Sequence, residues 1–146
     1  MNKHIIVRTD ASVSPSKGVA LGYEATVYHN DGTYDEHTGS HYYPNNIKTT
    51  RAEFMASIFA TKEIYEEYQS EAKKYKLKIE TDCEKTVNIY RDEVEENKLY
   101  RTMNNLESLF DSISIRWISR TNNTRADAIA RSKLETGWNN HENSSE

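Results

Sequence analysis

The sequence predicts an α/β fold: one mixed five-stranded sheet, three antiparallel strands followed by parallel ones, flanked by helices. Three observations predict it. The first third of the chain alternates at the two-residue period of strands and is punctuated by turn residues. From residue 50 the apolar residues recur at helical spacing instead. After residue 76 short apolar runs alternate with helical stretches, as in parallel strands joined by right-handed crossovers.

The elements follow in order. Residues 4–10, with Ile5, Ile6 and Val7, form the first strand, which stops at Asp10. Pro15 and Gly18 mark a turn, and residues 19–29 alternate as the second strand. Asp31-Gly32 suits a hairpin, because Gly32 supplies the positive φ a tight turn requires; residues 33–43 return as the third strand. Phe54, Ile58, Ala60 and Ile64 share one face of a helix over 50–68, which Thr49 or Thr50 can cap. Residues 77–82 form the fourth strand and end on Asp82. Two helices are expected over 84–94 and 98–112, a fifth strand over 113–119 and a last helix over 123–135. The order is β-β-β-α-β-α-α-β-α. Trp117 and most of the ten tyrosines are assigned to packing on the strands.

The 146 residues fit one domain, expected over 1–138, followed by a polar tail over 139–146 expected to be disordered. Cys83 is the only cysteine, so no internal disulfide forms, and no segment is long or apolar enough for a membrane span. A soluble, cytoplasmic monomer is the expectation. The net charge of −4 argues against a general polyanion binder, although charge is uneven. Residues 92–96 (DEVEE) are acidic, whereas 116–133 carry Arg116, Arg120, Arg125, Arg131 and Lys133 against Asp127 alone.

Four acids stand at element ends. Asp10 and Asp82 close two strands that emerge at the same edge if they are parallel neighbours. Glu53 lies near the start of the first helix and Asp127 near the start of the last. Each alone also reads as a turn, helix-cap or dipole acid. Together they would repel unless cations compensate, and hard divalent ions with oxygen ligands do so. Two such ions roughly 3.5–4 Å apart can activate water and stabilise a leaving oxygen in phosphodiester hydrolysis.

These residues also carry a resemblance that runs almost end to end. TDAS (9–12), GVALGYEATV (18–27), TTRAEFMASIFAT (49–61), IETDCEKTVN (79–88) and WISRTNNTRADAIAR (117–131) resemble, in order, the motif blocks of type 1 ribonuclease H. The resemblance implies a ribonuclease H-like fold and metal-dependent hydrolysis of the RNA strand of RNA–DNA hybrids. Asp10, Glu53, Asp82 and Asp127 would be both catalytic and metal-binding. They would hold two Mg2+ ions, or Mn2+. Ser12, Thr49, Thr50, Arg51 and Arg120 would contact substrate.

Several positions depart from the family pattern. Thr49 and Thr50 replace a paired Asn, Cys83 replaces a Ser and Glu84 a Gln. The loop after the final strand has no His; Arg120 stands where a His-less branch carries Arg. His141 is the nearest histidine in sequence beyond it. Two alternatives therefore stay open: a related nuclease acting on branched or single-stranded nucleic acid, and a non-catalytic nucleic-acid-binding module.

Overall fold

The computed structural model describes residues 3–91 and 98–144. The acidic run 92–96 lies outside the described residues. Five strands, β1 (Lys3–Ser14), β2 (Gly18–Tyr28), β3 (Tyr34–Tyr43), β4 (Tyr75–Thr81) and β5 (Ser112–Trp117), form one sheet in the order β3-β2-β1-β4-β5. β1 pairs antiparallel with β2, and β2 with β3; β1 pairs parallel with β4, and β4 with β5. The helices are α1 (Thr49–Tyr68), α2 (Glu84–Arg91), α3 (Lys98–Glu107) and α4 (Thr124–Ser144). This is the predicted element order. Among the described residues no helix is long and apolar enough to cross a membrane.

β1 is the centre of the sheet because both its neighbours need it: β2 for the meander and β4 for the crossover. The sequence reading ends this strand at Asp10, but the structure carries it to Ser14. The reason lies in the two ladders. The parallel ladder with β4 stops at Thr9–Thr81, while the antiparallel ladder with β2 continues to Ser14–Gly18. Asp10 is thus the first residue past the parallel ladder, still held by β2. The hairpin forms as expected, with Gly32 at φ 87° and Asp31 accepting hydrogen bonds from the Thr33 amide and hydroxyl.

One face of the sheet meets α1 and α3. Ile5, Val7, Leu77, Ile79 and Ile115 pack there with Phe54, Ile58 and Ile64 of α1 and Met103 of α3. Each such side chain contributes about 1.5–3 kcal/mol through burial. This layer fixes where α1 crosses the sheet, and so where Glu53 points. The predicted threonine cap is not made. Lys48 occupies the N-cap without a side-chain hydrogen bond, Thr49 and Thr50 are the first two helical residues, and Glu53 falls beyond the first turn.

The other face receives α4, which packs on β2, β1 and β3. α4 is longer than predicted: the segment expected to be a polar tail continues the helix to Ser144. Its buried stripe explains the extension, since Gly137 lies against the Tyr42 ring, so close that a Cβ there would stand 2.2 Å from the ring. A glycine inside a helix costs about 1 kcal/mol relative to Ala, here offset by that contact. Gly22 does the same at the other end of the helix: a Cβ there would stand 2.8 Å from the Ala130 nitrogen and 3.1 Å from the Ala126 oxygen. Gly22 is the β2 residue opposite Asp10. The missing side chain therefore lets α4 approach the sheet beside the first acid.

Gly22→Ala is expected to destabilise the fold by about 1–3 kcal/mol, because a methyl group meets helix backbone that has no room to yield. Urea denaturation with an unchanged m value and a lower midpoint would show it; an unaltered midpoint would show that α4 does not depend on this approach.

Candidate metal centre

Three predicted acids meet at the rim of β1 and β4. One carboxylate oxygen from each of Asp10, Glu53 and Asp82 lies within 4.8 Å of the other two. Asp10 and Glu53 are each only 5% exposed, and Asp82 is half-buried. Parallel β1–β4 pairing places Asp10 and Asp82 side by side, each following the Thr9–Thr81 pair. α1 brings Glu53 over them. The Ala11 amide donates to both Asp10 Oδ1 (2.9 Å) and Glu53 Oε1 (3.1 Å). One backbone N–H thus serves two carboxylates, and Glu53 Oε2 is buried with no partner.

That arrangement is electrostatically poor by itself. Burial raises the Asp10 carboxyl above its ordinary value, and the Asp82 charge raises it further. Burial likewise raises Glu53, with Asp10 next in effect. A divalent cation is the natural complement to three close hard oxygens, one of them an orphan. The donor set fits magnesium or manganese; the cluster does not by itself fix which ion.

Asp127 stands just outside this trio. It lies in the first turn of α4, near enough to Asp10 to favour the protonated Asp10 carboxyl. Its own oxygens accept from Arg131 at i+4, at 3.2 Å to Nε and 2.6 Å to Nη2. α4 is anchored here by Asn123, which the sequence reading quotes within a motif but assigns no role. Asn123 is fully buried; its Nδ2 donates to the Thr9 carbonyl at 2.9 Å, and its own carbonyl accepts from the Asp127 amide at 3.1 Å. It joins the residue before Asp10 to the turn that carries Asp127.

Asp82 is not a helix cap. Cys83, the residue immediately before α2, takes that place, its carbonyl accepting from the Thr86 amide, and the Cys83 amide donates to Thr81 Oγ1. Trp117 is a correction. Assigned to the core, it is 52% exposed, because β5 is an edge strand and Trp117 is its last residue. Its indole N–H donates to the Asp82 carbonyl at 3.2 Å, so an exposed aromatic ring flanks the cluster.

The predicted substrate contacts are less gathered. Ser12 is half-buried on β1, two residues past Asp10. Thr49 is exposed and Thr50 half-buried at the start of α1, while Arg51 lines a groove between α1 and α3 with Met55, Phe59 and Leu99. Arg120 is exposed in a 3-10 turn between β5 and α4. His141 lies 14 residues after Asp127 on the same helix, about 21 Å along its axis, and does not reach the acids.

A five-stranded sheet in this order, with carboxylates from β1, α1 and the end of β4 converging at its rim, defines the ribonuclease H-like class. A family profile described as reverse transcriptase-like matches residues 8–133, and the chain belongs to that family. No curated protein sequence matches significantly. Among solved structures, ribonuclease H1 from Halobacterium salinarum is 21% identical, with a TM-score of 0.70 over 91% of this chain and 98% of that one. LC11-RNase H1, from a compost metagenome and solved in complex with an RNA/DNA hybrid, is 19% identical, with a TM-score of 0.69 over the same shares. LC9-RNase H1, described as a type 1 enzyme with the type 2 active-site motif, is 13% identical, with a TM-score of 0.73 over 94% of this chain and 74% of that one. These likenesses establish the fold.

Two outcomes are expected. In metal-free buffer, Asp10 and Glu53 hold their protons more tightly folded than unfolded. Their contribution to stability is therefore full at acid pH and is lost as pH rises from the ordinary carboxyl range, 3.8 for Asp and 4.5 for Glu, toward the raised folded values. Asp10→Asn should flatten this loss and raise the metal-free melting temperature at neutral pH by about 2–4 °C for each kcal/mol of repulsion relieved. Magnesium should raise the melting temperature of the natural chain more than that of the variant. A melting curve lowered by Asp10→Asn at neutral pH would contradict the repulsion. Separately, Asn123→Ala should cost about 1–2 kcal/mol in urea denaturation through the lost bond to Thr9, and should shrink the magnesium increment.

Proposed function

We propose that the protein is a metal-dependent endonuclease that hydrolyses the RNA strand of RNA–DNA hybrids with two Mg2+ ions, Mn2+ serving as a substitute. One observation carries the reading: three carboxylates, two of them buried, crowd within ligand distance of one another, and among the described residues no protein cation pairs with them. An inactive binding module would gain stability by losing one of them.

Asp10, Glu53 and Asp82 would hold the ions, with Asp127 completing the set from α4. The bound ions would supply a water activated for attack and a charge opposite the developing leaving oxygen. The chain's own residues do the rest. Asp10, fixed in the antiparallel ladder and turned by the Ala11 amide, offers the central carboxylate. Glu53, held above it by α1, keeps one buried oxygen without a partner, and by the family resemblance it would serve the leaving-group side and the 2′-hydroxyl. Asp82, half-buried at the end of β4, would by the family resemblance hold the ion that activates the attacking water. Arg131 neutralises Asp127 until a cation competes for it. The 2′-hydroxyl separates RNA from DNA, and by the family resemblance the hydroxyls of Thr50 and Ser12 would contact it. The hybrid found with LC11-RNase H1 supports this choice of substrate.

The test is cleavage of matched RNA–DNA hybrid, RNA duplex, DNA duplex and a DNA junction with magnesium or manganese. Hybrid cleavage leaving 5′-phosphates, reduced at least about a thousandfold in Asp10→Asn (roughly 4 kcal/mol), is the expected result. Junction cleavage without hybrid cleavage would select a related nuclease, and binding without any cleavage a non-catalytic module.

A further inference from the structure

The sheet face turned away from α1 and α3 carries charges that the acid cluster does not use. Strand alternation sends Val7, Ile79 and Ile115 into the core, and so sends Arg8, Glu80 and Arg116 to the opposite face. These three are register partners on β1, β4 and β5. α4 covers β3, β2 and part of β1 on this face. Over β4 and β5 it stays open: Lys78, Ser112, Ser114 and Arg116 are exposed.

Glu80 is 2% exposed and fully paired. Its Oε1 accepts from Arg8 Nε at 2.9 Å and its Oε2 from Arg116 Nε at 2.6 Å. A buried carboxylate without partners would be strongly unfavourable, so the two guanidinium groups are held over it. The consequence is positional. Two arginines are pinned by one acid, with Arg116 still 69% exposed and Arg8 42% exposed. Glu24 joins the row at 3.5 Å from both Arg8 and Arg125, which leaves three arginines against two glutamates.

The row lies two residues before Asp10 and Asp82, about 7 Å along the strands. Two residues further back on the same face of β4 comes Lys78, and two beyond that Lys76. Lys78 sits between Ile6 and Ser114, and Lys76 between His4 and Ser112, so their strand neighbours carry no acid. A line of cations, through the exposed Lys78 to the half-buried Lys76, thus leads away from the acid cluster along β4, in a chain with an excess of acids.

We infer that this line, from Arg8 and Arg116 through Lys78 to Lys76, is a second phosphate-binding surface that grips a nucleic-acid strand beyond the site of cutting. The inference rests on the nuclease reading above and extends it. Its charge complements a polyanion, and its backbone contacts are indifferent to base sequence. The arginines nearest the acids are rigid and suit one phosphate position; the lysines are mobile point charges that follow a strand of variable path.

The experiment measures binding of a hybrid duplex to the natural chain and to Lys76→Gln/Lys78→Gln, by fluorescence anisotropy in EDTA at roughly 50–200 mM salt. Loss of two phosphate contacts should lower the slope of log affinity against log salt by about 1.8. Affinity at the lowest salt should fall about tenfold. Lys76→Arg/Lys78→Arg should restore both. If the natural chain binds and cleaves hybrid while the Gln variant binds with the same affinity and slope, the surface is overturned and the nuclease reading stands. If the natural chain neither binds nor cleaves nucleic acid, both fall.

Discussion

Repulsion between carboxylates brought together at low exposure is the constraint around which the rest of this structure is arranged. Asp10 and Glu53 are buried side by side, share one backbone amide and leave one oxygen unpaired. Nothing local favours that contact. It is imposed by the parallel pairing of β1 with β4 and by the packing of Phe54, Ile58 and Ile64 under the sheet, which sets the position of α1. The apolar layer contributes the free energy, and the acid cluster draws on it.

The same sheet shows two answers to a buried acid. Glu80 is closed over by Arg8 and Arg116 and needs nothing further. Two residues along, Asp10 has no cation partner among the described residues. Its neighbours are Glu53, Asp82 and Asp127, and Arg131 of α4 pairs with Asp127 instead. A fold able to place an arginine fork over one carboxylate leaves the next set open. That contrast separates a closed ion network from an acid cluster that could bind a metal ion.

α4 is the element on which the completeness of the site depends. It comes close to β2 only because Gly22 has no side chain, and it is tied to β1 by the Asn123 bond to the Thr9 carbonyl. Both devices sit within one residue or one strand pairing of Asp10. The distance of Asp127 from the other three acids is therefore set by backbone approach, with Arg131 holding the carboxylate in the meantime. The exposed Trp117 on the opposite side, anchored to the Asp82 carbonyl, gives the rim an aromatic wall that its strand pattern did not announce.

The element order, the hairpin at Gly32, the buried faces of the helices and the three acids that converge, Asp10, Glu53 and Asp82, were legible in the sequence, because period, turn chemistry and motif order are local properties. The family resemblance of five blocks sharpened the acids from four candidates into one set. Tertiary structure decided the rest. Whether Asp10 ends a strand depends on which of two ladders is considered, and a single strand's pattern does not contain its neighbours' lengths. Trp117 reads as core by composition, yet an edge strand leaves its last residue without a covering layer. The helix past residue 135 is held by the Gly137–Tyr42 contact across some 95 positions of chain, counted from the two residue numbers. The Glu80 fork needs three strands in register before its charges meet. Local sequence specifies what each segment prefers; burial, register and the approach of distant backbones determine which charges share a site, because those energies exist only once the segments are packed.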